Sequence, residues 1–195
     1  MVVSVIIILA GGKSTRMGKE KPVLKIAGKE MLLWVYASAS RVDETIVALS
    51  KNTPKTRELC LREGIPFMET PGKGYVEDVQ WLLNEFGPFI SSSSDIPFVK
   101  PSDFYAVKKA FNGKTSLTGV LPIQKVPKDL KPLVYRGYAI VGLNAVGFEG
   151  EGFFELENPL LALNVNTPED LKLAERIARL VRKVIFGWED LTTGR

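Results

Sequence analysis

The chain has 195 residues, 45% of them apolar, and a net charge of +4, enough to bury one core and give a single domain over 1–195. Cys60 is the single cysteine and there is no histidine, which excludes an intrachain disulfide, a thiolate metal cluster, a histidine base and a nucleotidyl-histidine intermediate. Without a signal-like segment, an apolar run of membrane length or a basic run interleaved with aromatics, the expectation is a cytoplasmic protein with no membrane span and no nucleic-acid partner.

Val2 to Leu9 is a continuous apolar, β-branched run that stops at Gly11-Gly12, the pattern of a strand buried on both faces of a parallel sheet. A glycine- and lysine-rich loop follows, then a helix over Met31 to Ser40, a strand over Glu44 to Leu49 and a helix over Pro54 to Glu63. Thr53 is placed to cap that last helix, with Pro54 in its first turn and Gly64 just past its end. Pro66 to Glu69 reads as a short strand, Tyr75 to Phe86 as an amphipathic helix, Phe89 to Ser92 as a strand ending at Asp95, and Ser102 to Phe111 as a helix.

Ser116 to Gly147 changes character, with β-rich stretches and scattered prolines and glycines, and reads as an inserted β-hairpin or acceptor-side subdomain. A strand at Leu160 to Asn164 and a helix from Pro168 to about Ile185 complete the chain, the helix opening on a capping-box-like Thr167, Glu169 and Asp170. The expected fold is α/β, a doubly wound, mostly parallel Rossmann-like sheet with a small β-rich insertion, its ligand lying beyond the carboxyl ends of the strands.

Chemistry concentrates in Leu9-Ala10-Gly11-Gly12-Lys13-Ser14-Thr15-Arg16-Met17-Gly18, followed by Lys21-Pro22. Glycines straight after a strand let backbone N–H groups approach phosphate, and Arg16 and Lys21 can neutralise triphosphate oxygens without exchanging a proton. The spacing fits neither the P-loop nor the dinucleotide fingerprint of three spaced glycines. Asp95, at the end of a buried strand, is a candidate ligand for Mg²⁺ against phosphate oxygens, or else the cap of the next turn.

The Leu-Ala-Gly-Gly-x-x-x-Arg-Met-Gly string with its Lys-Pro resembles the signature of the sugar-phosphate and molybdenum-cofactor nucleotidyltransferases. That resemblance implies a sheet of the nucleotide-diphospho-sugar transferase type, with Leu9, Ala10, Gly11, Gly12 and Lys13 around nucleoside and phosphates. It also implies Arg16 on the leaving pyrophosphate, Lys21 by the α-phosphate, and Asp95 on the metal. Asn164, in Asn164-Val165-Asn166-Thr167, stands where the family has its second metal ligand; a neutral amide holds Mg²⁺ less strongly than a carboxylate, and a simple turn-forming asparagine is the other reading.

Asn52-Thr53-Pro54-Lys55-Thr56, Gly72-Lys73-Gly74-Tyr75-Val76-Glu77-Asp78 and Asn164 to Glu175 are similar to strings in the archaeal GTP:adenosylcobinamide-phosphate guanylyltransferases. At a strand end Asn52 can meet base or ribose, and Gly72 and Gly74 can bring backbone to a purine or simply make a tight turn. Glu77 and Asp78 read as helix-start charges. Asn144 is an acceptor-side candidate or a turn asparagine; Trp34, Trp81 and Trp188 read as packing residues.

The resemblance implies GTP and adenosylcobinamide phosphate as partners, Mg²⁺ as cofactor, adenosylcobinamide-GDP and pyrophosphate as products, and a nucleotide-binding half at 1–115 facing an acceptor half at 116–195. A homodimer is compatible with such a chain. The missing histidine then makes sense, because a phosphate monoester with a second pKa of about 6 arrives as an anion and needs no general base. Molybdopterin guanylyl transfer, sugar-1-phosphate nucleotidyl transfer and a silent nucleotide sensor are the alternatives.

Overall fold

Residues 5–14 and 17–186 are described in the computed structural model of the chain; the sequence candidates Arg16 and Trp188 lie outside the described residues. In chain order the strands are β1 (Val5–Leu9), β2 (Lys25–Ile26), β3 (Lys29–Glu30), β4 (Glu44–Leu49), β5 (Phe67–Glu69), β6 (Phe89–Ser93), β7 (Thr115–Pro122), β8 (Val134–Tyr135), β9 (Tyr138–Val146) and β10 (Glu149–Glu155). The α-helices are α1 (Met31–Ala39), α2 (Pro54–Glu63), α3 (Tyr75–Phe86), α4 (Pro101–Ala110) and α5 (Pro168–Phe186).

The main sheet runs β10-β7-β9-β6-β1-β4-β5, with β8 paired to β9 and a separate β2-β3 ribbon. β1 pairs in parallel with both β4 and β6. The chain leaves β1 toward β4 and β5 and returns to β6 on the other side, so the strand order reverses between β1 and β6. In an open α/β sheet a ligand crevice lies outside the carboxyl ends of the strands at such a reversal. β9 is antiparallel to its neighbours β6 and β7, and the β-rich stretch therefore continues the sheet, with the short strand β8 added as a hairpin on one end of β9.

Ile6, Ile7 and Ile8 are fully buried, each contributing about 1.5–3 kcal/mol of transfer free energy. Their alternation divides them between two layers. Ile6 and Ile8 pack with side chains of α1, α2, α4 and α5, while Ile7 packs with Leu82 and Leu83 of α3 and with Phe89. Trp34 and Trp81 join these two clusters respectively, as packing residues.

The expected cap of α2 is different in kind. The Thr53 hydroxyl bonds back to Ser50, and the Glu20 carboxylate accepts from the backbone N–H groups of Lys55 and Thr56 and from the Thr56 hydroxyl. A carboxylate at a helix N-terminus meets unpaired donors and the positive end of the dipole, so Glu20 ties the glycine-loop segment to α2. Gly64 closes the helix at φ 65°, as expected, and α5 opens on a reciprocal Thr167–Asp170 box.

The expected strand at Leu160 to Asn164 does not form. Asn158 caps a single 3-10 turn at Pro159–Ala162 and donates to the Phe98 carbonyl and to Asp103. Leu161, Ala162, Leu163 and Val165 are buried by packing instead of strand pairing. β10 has no counterpart among the expected elements: its Glu-Gly-Glu-Gly-Phe-Phe-Glu sequence is charged and glycine-broken, as suits an edge strand.

Candidate active site

A cavity of about 720 Å³ opens at the switch point. Its floor is the end of β1 and the following loop, Leu9 to Ser14, with Lys21 and Pro22 returning beside it. β1 is held between β4 and β6, Leu9 pairing with Ala48 and with Ser93, so the glycines emerge between Ser50 and Asp95. The loop is closed on itself where the Lys21 N–H donates to the Ser14 hydroxyl at 3.1 Å.

Lys21 and Asp95 meet in this cavity. Lys21 Nζ lies 2.5 Å from Asp95 Oδ2 and 3.0 Å from Asn166 Oδ1, and the Ser93 hydroxyl donates to Asp95 Oδ1 at 2.5 Å. The side chains are only 19% and 11% exposed, so this pair is screened far less than a surface ion pair. The Val165 N–H donates to the Asp95 carbonyl, which fastens the segment before α5 along the same loop. Asn166, absent from the sequence candidates, is the asparagine that reaches the lysine.

Asn164 stands outside the cavity lining. Its Nδ2 donates to the Ile140 carbonyl, and its Oδ1 is 3.6 Å from where a Cβ on Gly142 would be. Among the described residues no group of three acidic, cysteine or histidine side chains converges, which leaves Asp95 as the cavity's strand-end carboxylate. One carboxylate suits a magnesium ion that completes its shell with phosphate and water oxygens, so the donor set fits a metal shared with a bound triphosphate.

The opposite wall is organised by two side chains that sequence reasoning did not assign there. The Ser50 hydroxyl donates to the Gly11 carbonyl at 2.7 Å and accepts from the Asn52 backbone N–H and side-chain amide at 3.1 Å each. Asp78, read from sequence as a helix-start charge, accepts from the N–H groups of Gly72 and Lys73 at 2.9 and 3.3 Å. Gly72 sits at φ 68° with a would-be Cβ 3.2 Å from Ser50 Cβ, so neither its dihedral nor its space admits a side chain easily. Asn52, Gly72, Lys73 and Gly74 thus line one continuous wall.

Thr118, Ile140, Gly142 and Asn144 form the wall contributed by β7 and β9. Asn144 lies within β9, not in a turn, and its Oδ1 accepts from the Gly119 N–H at 3.1 Å, filling the irregularity where β7 shifts register against β9. Tyr75 bridges the walls. The residue as a whole is 62% exposed, yet partial burial of its phenol raises the pKa, with hydrogen bonding to Asn144 acting the other way.

The chain is a nucleotidyltransferase by its relatives, and its sheet, which opens at the reversal of strand order onto glycine backbone and a lysine–aspartate pair, is of the α/β kind such enzymes share. The sequence profile of the MobA-like NTP transferase domain matches residues 6–150, and the chain belongs to that family. It is similar to the adenosylcobinamide-phosphate guanylyltransferase of Methanocaldococcus jannaschii, with 33% identity over 89% of this chain and 96% of that one. It is 29% identical to a molybdenum cofactor guanylyltransferase of Cereibacter sphaeroides, over 89% of this chain and 96% of that one. Among solved structures, molybdopterin-guanine dinucleotide biosynthesis protein A from Archaeoglobus fulgidus superposes with a TM-score of 0.66 at 21% identity, over 90% of this chain and 99% of that one. That likeness concerns the fold, which is the nucleotide-diphospho-sugar transferase type.

Proposed function

We propose that the chain transfers GMP from GTP to adenosylcobinamide phosphate, giving adenosylcobinamide-GDP and pyrophosphate in the assembly of the cobalamin nucleotide loop. The observation that carries this reading is the nearly full-length similarity to the M. jannaschii guanylyltransferase, in a chain whose strand-end cavity holds the lysine–aspartate pair. Molybdopterin guanylyl transfer is the second reading, favoured only by the lower identity to the molybdenum-cofactor enzymes. No helix among the described residues is long and apolar enough to cross a membrane, in keeping with a cytoplasmic enzyme.

In this reading the 1–115 half binds nucleotide and the 116–195 half binds acceptor. Leu9 to Gly12 and Lys13 cradle the phosphates, Asn52, Gly72 and Gly74 meet ribose and base, and Arg16 attends the leaving pyrophosphate. Asn144 borders the acceptor. Asp95 would hold Mg²⁺, which when bound supplies charge neutralisation at the phosphates, whereas Asn164, outside the cavity lining with its amide on the Ile140 carbonyl, is not taken as its ligand.

An acceptor phosphate oxygen attacks the α-phosphorus in line; the new P–O bond forms as the bond to the bridging oxygen of the β-phosphate breaks, and pyrophosphate leaves with that electron pair. The acceptor is already anionic at neutral pH, so no proton has to be removed, in accord with a chain that contains no histidine. Lys21 acts through charge, drawing the transferring phosphoryl group into position and stabilising it as negative charge shifts to the leaving group.

The test is an acceptor panel with GTP and Mg²⁺, read by pyrophosphate release. Adenosylcobinamide phosphate should turn over, and the unphosphorylated corrinoid alcohol should be slower by orders of magnitude, because its hydroxyl has no base to ionise it. Efficient transfer to molybdopterin with none to the corrinoid phosphate would overturn the choice of acceptor.

A further inference from the structure

The sheet face that forms the acceptor-side wall of the cavity does not end at the cavity. In β9 the even-numbered residues from Tyr138 to Val146 are half-buried and alternate with fully buried odd-numbered ones, so Tyr138, Ile140 and Asn144 share one face. Thr118 of β7 pairs with Asn144 on one side and with Phe153 of β10 on the other. Ile140, Asn144 and Thr118 line the cavity, and Tyr138 and Phe153 carry the same face outward from it. The α3-side cluster stops at Val146 and holds no residue of β7 or β10, so among the described residues α3's apolar layer does not extend over this part of the sheet.

Aromatic rings gather on this uncovered face. The Phe153 ring meets Tyr135 edge-on at 6.2 Å and Tyr138 at 5.9 Å between centroids. Tyr135 and Phe153 remain 50% and 46% exposed, and they lie in contact with each other on the same face as the cavity's acceptor-side wall. The hairpin turn fixes the arrangement: Arg136 at φ 49° and Gly137 at φ 81° make the two-residue reversal that pairs Tyr135 with Tyr138. The Arg136 guanidinium lies 5.2 Å from the Tyr135 ring centre, and the Tyr138 hydroxyl donates to Glu155 at 3.3 Å. One face of the Tyr135 ring is thus taken by the guanidinium, and the rest of the aromatic cluster is bordered by the hydrogen-bonding tip of Tyr138.

We propose that this face of β9, β7 and β10, centred on Tyr135, Tyr138 and Phe153, is the seat of the acceptor's corrin macrocycle. The assignment rests on the corrinoid reading of the preceding section. A corrin presents a broad apolar ring face with amide side chains around its edge, and tyrosines combine an apolar body with a polar tip. Phe153 lies one strand beyond Thr118, about 4.8 Å, so a macrocycle on the aromatic rings is continuous with a phosphate arm that enters the cavity past Thr118 and Ile140. In the same reading GTP occupies the opposite wall, lined by Asn52, Gly72 and Gly74 and away from these rings.

The experiment uses the double variant Tyr135→Ala/Phe153→Ala and, separately, Phe153→Arg, comparing KM for adenosylcobinamide phosphate, KM for GTP and thermal midpoint with the parent. Both positions are exposed enough for the fold to tolerate the changes. The expected result is a rise of about tenfold in the corrinoid KM, the loss of two aromatic contacts, with the GTP KM within about twofold and the midpoint nearly unmoved. An unchanged corrinoid KM in both variants overturns the proposal. So does a parallel rise of both KM values, which would make the rings part of the fold, and so does a parent dimer that Phe153→Arg splits without touching the corrinoid KM. A parent enzyme that does not use the corrinoid phosphate at all refutes the underlying reading, and is recognised before any variant is made.

Discussion

β5, β4, β1 and β6 are sandwiched between the α1, α2, α4 and α5 layer and α3, whereas β9 alternates buried with half-buried side chains and the edge strand β10 has no buried residue. The doubly covered half has only its strand ends to offer a ligand, and there the backbone of Gly11 and Gly12 meets Lys21 and Asp95. The singly covered half offers a surface. Its glycines serve a different purpose as well: a Cβ on Gly119 would stand 2.0 Å from the Leu143 carbonyl oxygen, whereas a Cβ on Gly12 would meet nothing within 4 Å. Gly12 thus has open space on the cavity side, whereas Gly119 is needed where two strands cross out of register.

The largest effect expected from breaking this division is in the covered half. Lys21→Ala removes a cation seated 2.5 Å from Asp95 and should raise the activation barrier by about 2–4 kcal/mol, roughly two to three decades in kcat/KM, with the fold kept. Near-normal turnover would remove Lys21 from the chemistry. In the open half, Gly119→Ala forces backbone apart and should cost about 2 kcal/mol or more of unfolding free energy, while Gly12→Ala should cost under about 0.5 kcal/mol. Denaturant unfolding of the two variants distinguishes these roles, and equal losses would erase the contrast.

A smaller effect sharpens the account of the nucleotide wall. Asp78→Ala frees the N–H groups of Gly72 and Lys73, and should raise the KM for GTP about tenfold while lowering stability by about 1 kcal/mol. A change in stability alone would make the aspartate a helix residue only. The smallest effect belongs to Cys60 in α2, whose thiol burial pushes up to about 11; at pH 8 it should stay un-ionised and react with a thiol reagent only on unfolding. Rapid labelling of the native chain would contradict the packing of α2 against the sheet.

The covered half was largely legible in the sequence because its signals are local. β4, α2 and α3 have the expected bounds, set by a β-branched run, by Pro54 and Gly64, and by an amphipathic stretch between Gly74 and Gly87. Lys21 and Asp95 were legible as candidates from motif and strand end. What makes them a pair was not: Asn166 reaches Lys21 across 145 residues of chain, and neither Glu20 under α2 nor Ser50 under Gly11 belongs to a pattern that spacing reveals. Asp78 is the first-turn carboxylate of α3 that the sequence led one to expect; its further bonds to the Gly72 and Lys73 N–H groups were not legible, because the local explanation was already sufficient. The open half hid β10 behind glutamates and glycines, and Leu160 to Asn164 imitated a strand because burial by packing leaves the same apolar run as burial by pairing.

The central claim is the transfer of the α-phosphate with its nucleoside, and the most direct measurement follows label from GTP onto the acceptor. With GTP labelled at the α-phosphate, Mg²⁺ and adenosylcobinamide phosphate, the label should appear in a corrinoid product, while label at the γ-phosphate should appear in pyrophosphate. Label passing from the γ-position to the corrinoid, or α-label remaining in a free guanine nucleotide, would contradict the account.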